Sequence, residues 1–129
     1  IKEYIHFQEF IMLKTLPQLL QQAKQNVKLL TAKKAAQEIS QNHGLLIDVR
    51  ESAEHFASPA VGAINIPRGL LEMKILEIEK DPERPIYLHC ASSLRASLAA
   101  EQLTRMGYTN VNVITCRMEE VLNMAQYSQ

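Results

Sequence analysis

The stretch YLHCASSLRASLAAEQL (residues 87–103) sets a short apolar run against an alanine-rich helical pattern, with one cysteine at the join. IYLHC (86–90) follows the turn-forming DPERP (81–85) and reads as a buried strand. Ala96, Ala99, Ala100 and Leu103 then share one helical face, and Gly107 stops the helix. Cys90 therefore stands where a strand hands over to a helix, and Arg95 follows five positions later.

The same rhythm extends in both directions. VKLL (27–30) reads as a strand, and Thr31 as the N-cap of a helix with Ala32, Ala35, Ala36 and Ile39 on one face. QNHG (41–44) ends that helix, with Gly44 as the left-handed cap. LLIDV (45–49) predicts a buried strand, Ser52 caps a short helix through Phe56, and AVGAINIP (60–67) predicts a strand closed by Pro67. Leu71, Ile75 and Ile78 mark a helix, VNVI (111–114) a last strand, and a final helix runs from Met118 to Ala125. Alternation of this kind predicts an α/β fold, with a mostly parallel sheet covered by helices on both faces. Ligands of such sheets bind beyond the carboxyl ends of the strands, where Cys90, Cys116 and Arg117 are all expected.

Residues 1–26 read differently and form a candidate N-terminal extension to a domain spanning 27–129. Gln is dense, glycine is absent, and Ile5, Met12, Leu16, Leu19 and Ala23 make a helical stripe. Two short helices, or one kinked helix, are expected, split near Thr15 to Pro17. The stripe either packs on its own domain or forms a dimer or partner surface, so monomer and dimer both stay open.

The chain has 129 residues, enough for one domain with its own core. Lys plus Arg and Asp plus Glu are equal at 14 each, which gives no net field toward nucleic acid or an anionic membrane. No segment has the length of a membrane span. Two cysteines are too few for a disulfide framework, and a reducing, cytoplasmic compartment is the expectation. The chain begins with Ile1, not Met, which leaves room for a trimmed targeting segment. The histidines and cysteines share no metal-ligand spacing, and no metal or cofactor is expected.

The chemistry lies in the loop after Cys90. The first amides of the following helix have no partners inside it, and its macrodipole adds positive potential there. A thiolate at that point is stabilised and nucleophilic. Arg95 adds a charged fork for an incoming anion, and Ser92 and Ser93 add hydroxyl donors. The alternative for Cys90 is an inert buried thiol, and for Arg95 a solvated helix residue. His89 neighbours Cys90 in sequence, but adjacent strand residues point to opposite faces, so it is expected to pack or hydrogen-bond elsewhere. Asp48 and Arg50, at a strand end, are expected to hold loops together.

Three of these segments, in this order and spacing, resemble the rhodanese-homology family over about residues 28–124. LLIDVRESAEHF (45–56) resembles its Asp-Val-Arg-Glu segment, and VGAINIP (61–67) its Gly-Ala-x-Asn-Ile-Pro segment. CASSLRAS (90–97) resembles its Cys-x-Ser-Gly-x-Arg-Ser active-site loop. The resemblance implies a five-stranded parallel sheet and sulfurtransferase activity. Cys90 would take a sulfane sulfur from a small anionic donor such as thiosulfate, or from a protein persulfide. It would then pass that sulfur to a thiophilic acceptor such as cyanide or a protein thiol. Amides from Ala91, Ser92, Ser93, Leu94 and Arg95 would hold the terminal sulfur.

Departures from the family pattern qualify this expectation. Ser93 stands where glycine is usual, and a positive φ there would cost serine about 1 kcal/mol or more. Leu94 is apolar where substrate arrives, which suits a protein or apolar partner. Ser58 and Pro59 replace a frequent Gly-His and are expected to alter only a turn. Cys116 and Arg117 replace a common Gly-Gly. If the strands ending near Cys90 and Cys116 are neighbours, Cys116 becomes a candidate to resolve the Cys90 persulfide, and Arg117 a candidate source of extra positive charge. Two other functions compete. A thiol phosphatase or arsenate reductase needs five residues between Cys and Arg, and here there are four. A non-catalytic rhodanese-like binding module typically lacks the cysteine that this chain keeps.

Overall fold

A computed structural model describes residues 12–115 and 117–124. The expected first helix of the extension, Cys116 and Ala125 lie outside the described residues. Helix α1 (Leu16–Lys24) begins at a Thr15 cap. The Thr15 hydroxyl accepts from the Gln18 amide at 3.3 Å, and Gln18 Oε1 accepts from the Thr15 amide at 2.8 Å. Pro17 sits in the first turn, where its missing N–H costs nothing. Helix α1 lies against the long helix after Cys90 and buries Ala23 there, while Leu16 and Leu19 of the same stripe stay exposed.

The elements that follow are β1 (Lys28–Leu30), α2 (Ala32–Asn42), β2 (Leu45–Asp48), α3 (Ser52–Ala57) and β3 (Ile64–Asn65). A 3-10 turn (Arg68–Leu70) leads into α4 (Leu71–Ile78). Then come β4 (Ile86–His89), α5 (Leu94–Met106), β5 (Val111–Ile114) and α6 (Met118–Leu122). The five strands form one sheet in the order β1-β5-β4-β2-β3, and every pairing is parallel. The central strand β4 is buried along its whole length. Ile47, Val49, Ile86, Leu88 and Cys90 pack on one side with Leu71, Ile75 and the alanine face of α5. Leu46, Tyr87 and Ile114 pack on the other with Ala32, Ala35 and Ala36 of α2 and Val121 of α6. Ala96, Ala99, Ala100 and Leu103 are all fully buried, as the spacing predicts.

Three sequence expectations are corrected. AVGAINIP is not one strand: only Ile64–Asn65 pair, because the chain turns at Ala60–Ala63 with Gly62 at φ 83°. The left-handed residue that ends α2 is His43 at φ 57°, not Gly44. Gly44 is needed for close approach instead, since a Cβ there would sit 2.5 Å from the Tyr87 ring. Ser52 is the first helical residue of α3, and the residue before it, Glu51, is the cap position. The helix marked by Leu71, Ile75 and Ile78 is present, and it anchors through Leu71 and Ile75 while Ile78 is 49% exposed.

Candidate active site

Three connected pieces of polar chemistry meet at the carboxyl ends of β2 and β4. The first fixes the end of β2. Asp48 is fully buried, and its carboxylate accepts from the Arg50 amide at 3.0 Å, from Arg50 Nη2 at 2.8 Å, and from His55 Nδ1 at 2.9 Å. Arg50 Nε bridges both carboxylate oxygens at 3.0 and 3.1 Å. The rest of the Arg50 guanidinium donates to the hydroxyl and the carbonyl of Ser58. Ser58 therefore does more than shape a turn. Burial pushes the Asp48 carboxyl up, but the hydrogen bonds from Arg50 and His55 outweigh it and hold it below its ordinary value. Asn65 donates to the carbonyls of Asp48 and Arg50, each at 3.0 Å, which ties β3 to the same corner. The Asp-Val-Arg and Asn-Ile-Pro segments are thus scaffold that sets the neighbouring strand end.

His89 lies beside this corner, paired in register with Asp48, and is fully buried. Its ring packs but does not hydrogen-bond: neither nitrogen has a partner, and Nδ1 stands 4.0 Å from Asp48 Oδ1. Burial pushes its pKa down to about 4, against the pull of the Asp48 charge. The unfolded imidazole binds its proton near 6.5, so the unfolded chain holds a proton the native one lacks between those values. Stability is therefore full above pH 6.5 and falls as the pH drops toward 4, by about 3 kcal/mol. Urea unfolding at pH 7 and pH 4.5 should show the loss, and His89→Asn should flatten the slope across this window.

The second piece is Cys90 with the helix after it. Cys90 is 1% exposed, and its Sγ accepts a hydrogen bond from the Ala96 amide at 3.3 Å. Ala96 is the third residue of α5, one of the helix-start amides that lack an intrahelical acceptor. The sulfur thus takes the place that a capping oxygen takes elsewhere. The sequence marks Ala96 only as part of a helix face; its amide was not among the residues expected on the sulfur, which were Ala91 to Arg95. Ala91 and Ser92 are exposed, and Ser93 and Leu94 are half-buried, so Leu94 presents less apolar surface than its position in the sequence suggests.

Ser93 adopts φ 65°, ψ −5°, the left-handed conformation that a glycine would take without strain. Its carbonyl accepts from the Ser97 amide at 2.9 Å and the Ser97 hydroxyl at 2.7 Å, which holds the bend. Left-handed strain on serine exceeds the extra chain entropy of an unfolded glycine. Ser93→Gly should therefore raise the unfolding free energy by up to about 1 kcal/mol, read from a urea midpoint.

The third piece is Arg95. Its guanidinium does not point at the sulfur as a free fork. It grips Glu54 of α3, with Nη1 to Oε1 at 2.6 Å and Nη2 to Oε2 at 3.0 Å. The same carboxylate accepts from the Glu51 amide at 2.9 Å. The Arg95 hydrogen bonds lead in holding the Glu54 carboxyl down at about 2. Arg117 is exposed at the start of α6, just past β5, and β5 neighbours β4. Asp48, His55 and His89 converge without a geometry that could hold a metal ion, and no other trio among the described residues has one. A groove of about 570 Å³ lined by Lys28, Thr104 and Asn112 lies at the amino end of the sheet, away from Cys90.

A parallel five-stranded sheet, a cysteine at the end of its central strand and a bend into a helix define the class. The chain belongs to the rhodanese-like domain family, whose model matches residues 31–123. The Bacillus subtilis (strain 168) protein YqhL is 41% identical over 66 residues, covering 51% of this chain and 51% of that protein. Matches to curated relatives span about half of those proteins' length or less. Among solved structures, the Rhodopseudomonas palustris protein RPA3614, described as a possible tyrosine phosphatase, gives a TM-score of 0.72 at 22% identity. It covers 89% of this chain and 93% of that one, and the likeness is one of fold. The polysulfide-sulfur transferase of Wolinella succinogenes gives a TM-score of 0.61 at 27% identity, covering 82% and 80% of the two chains. No described helix is long and apolar enough to cross a membrane.

Proposed function

We propose that the unit formed by residues 27–129 is a sulfurtransferase that carries a sulfane sulfur on Cys90, with residues 1–26 as an extension to it. The observation that carries this reading is the Ala96 amide on Cys90 Sγ, at the bend between β4 and α5 in a rhodanese-like domain. The Wolinella sulfur transferase of like fold supports it.

In the first step the Cys90 thiolate attacks the outer sulfur of a donor such as thiosulfate. The sulfur–sulfur bond of the donor breaks, and sulfite leaves with its electron pair. A protein persulfide donor reacts in the same way and releases a thiolate. In the second step an acceptor, cyanide or a protein thiolate, attacks the terminal sulfur of the Cys90 persulfide and the Cys90 thiolate leaves. Each half-reaction is complete before the next begins, so ping-pong kinetics follow. The Ala96 amide and the positive end of α5 stabilise the anionic sulfur in both. Cys90 is 1% exposed, so a donor reaches the sulfur only when the residues around it shift. Arg117 adds positive charge one strand over. A reducing, cytoplasmic setting suits a chain whose working group is a thiol.

Burial of Cys90 favours a second reading, a rhodanese-like module that binds a partner and transfers nothing. Thiocyanate formation from thiosulfate and cyanide, compared with Cys90→Ser, separates the two. Transfer by the wild type and none by the variant supports the enzyme; equal rates remove it.

A further inference from the structure

We infer that Glu54 is a specificity-determining residue, which by occupying Arg95 weakens the site's hold on a dianionic sulfur donor relative to a singly charged persulfide. The inference rests on the sulfurtransferase reading of Cys90. Arg95 is the cation nearest in sequence to the sulfur, and both of its terminal nitrogens are spent on one carboxylate. Both side chains are about one-third exposed, 31% and 37%, and Arg95 lies close enough to Cys90 for their charges to interact. Glu54 is held in place from behind by the Glu51 amide, which fixes the carboxylate toward Arg95. Its pKa of about 2 keeps it ionised at any pH where the thiol reacts.

The other arginine of this corner is no substitute. Arg50 is 3% exposed and fully engaged by Asp48 and Ser58. Positive potential at the sulfur then comes chiefly from amides and the helix start, amounting to about half a charge. That suffices for one sulfur anion. The second charge of thiosulfate, on its sulfonate end, meets a neutralised pair where a free guanidinium would have bound it with two hydrogen bonds. A persulfide on a thiol carrier has no such second charge. Phe56, 82% exposed two residues after Glu54 on α3, offers apolar surface to the body of such a carrier.

The test loads Cys90 from two donors, thiosulfate and the persulfide of N-acetylcysteine methyl ester, which carries a single charge. Loading is followed by mass spectrometry as a function of donor concentration. The wild type should load from the persulfide at least about tenfold faster at limiting donor. Glu54→Gln keeps an oxygen for the Glu51 amide and frees Arg95. It should raise thiosulfate loading about tenfold, through the half-saturation concentration, and narrow the donor ratio. Glu54→Asp, which keeps the charge, should stay close to the wild type. Arg95→Gln alone leaves the Glu54 carboxylate unpaired and should lower thiosulfate loading further, and added to Glu54→Gln it should erase the gain. A merely structural defect would slow both donors together.

Loading from both donors with a ratio that Glu54→Gln leaves unchanged would overturn this inference and spare the sulfurtransferase reading. A wild type that loads from thiosulfate as readily as from the persulfide would also overturn it, whether or not Glu54→Gln folds. No sulfur on Cys90 from either donor would overturn both.

Discussion

Asp48→Asn is expected to cost about 3–5 kcal/mol of folding stability, the largest loss from any single polar change at this site. The substitution leaves Arg50 buried with its charge uncompensated, since Asp48 is fully buried and Arg50 is 3% exposed. Four hydrogen bonds from the Arg50 backbone and side chain reach this carboxylate, and His55 adds another. An amide cannot accept all of them, because one of its two positions is a donor. The corner also holds Asn65 and Ser58, so the end of β2 and the start of β3 should loosen together. Urea unfolding near pH 7 measures the loss. A change under about 1 kcal/mol would show that water replaces the carboxylate and that this corner is not a closed scaffold. Replacing both residues, Asp48→Leu with Arg50→Met, should cost less than the sum of the single changes, because no lone charge then stays buried.

Cys90→Ser is expected to abolish sulfur transfer while costing only about 1 kcal/mol of stability. The two effects separate because the sulfur has two roles of unequal weight. In packing, Cys90 is one small member of the cluster that joins Val49, Leu88, Ala96 and Ala99, and a serine fills most of its volume. The Ala96 amide still finds an oxygen to meet. In chemistry no hydroxyl substitutes, since a persulfide needs a sulfur on the protein to carry the second sulfur. Thiocyanate formation and a melting temperature on the same two samples are sufficient. A drop of 10 °C or more, well beyond about 4–8 °C per kcal/mol, would place Cys90 among the packing residues first.

The fold was open to reading because its signals are local. Strand β4 and helix α5 differ in period, and the alanines that face the sheet keep helical spacing over two turns. Thr31 and Thr15 announce their helices within three residues. The structure departs from the local pattern where one residue's backbone freedom decides the path. Gly62 turns a segment whose apolar run resembles a strand, and His43 takes the left-handed position that its glycine neighbour seemed made for. At the site, the cysteine and the bend at Ser93 were legible, since both follow from the chain between Cys90 and Arg95. The Glu54–Arg95 pair spans 41 residues, and the hold of Arg50 on Ser58 depends on how α3 lies across β2. Such pairings are products of tertiary packing and leave no periodic trace. Ala96 was hidden for another reason: its contribution is a backbone amide, and any residue type supplies one.

The most direct measurement is the mass of the peptide that contains Cys90, after the folded protein meets a sulfane donor and excess donor is removed. The account predicts the gain of one sulfur atom on Cys90, lost again on adding cyanide with thiocyanate released in equal amount. An unmodified Cys90 in folded protein, or sulfur that cyanide leaves in place, would contradict it.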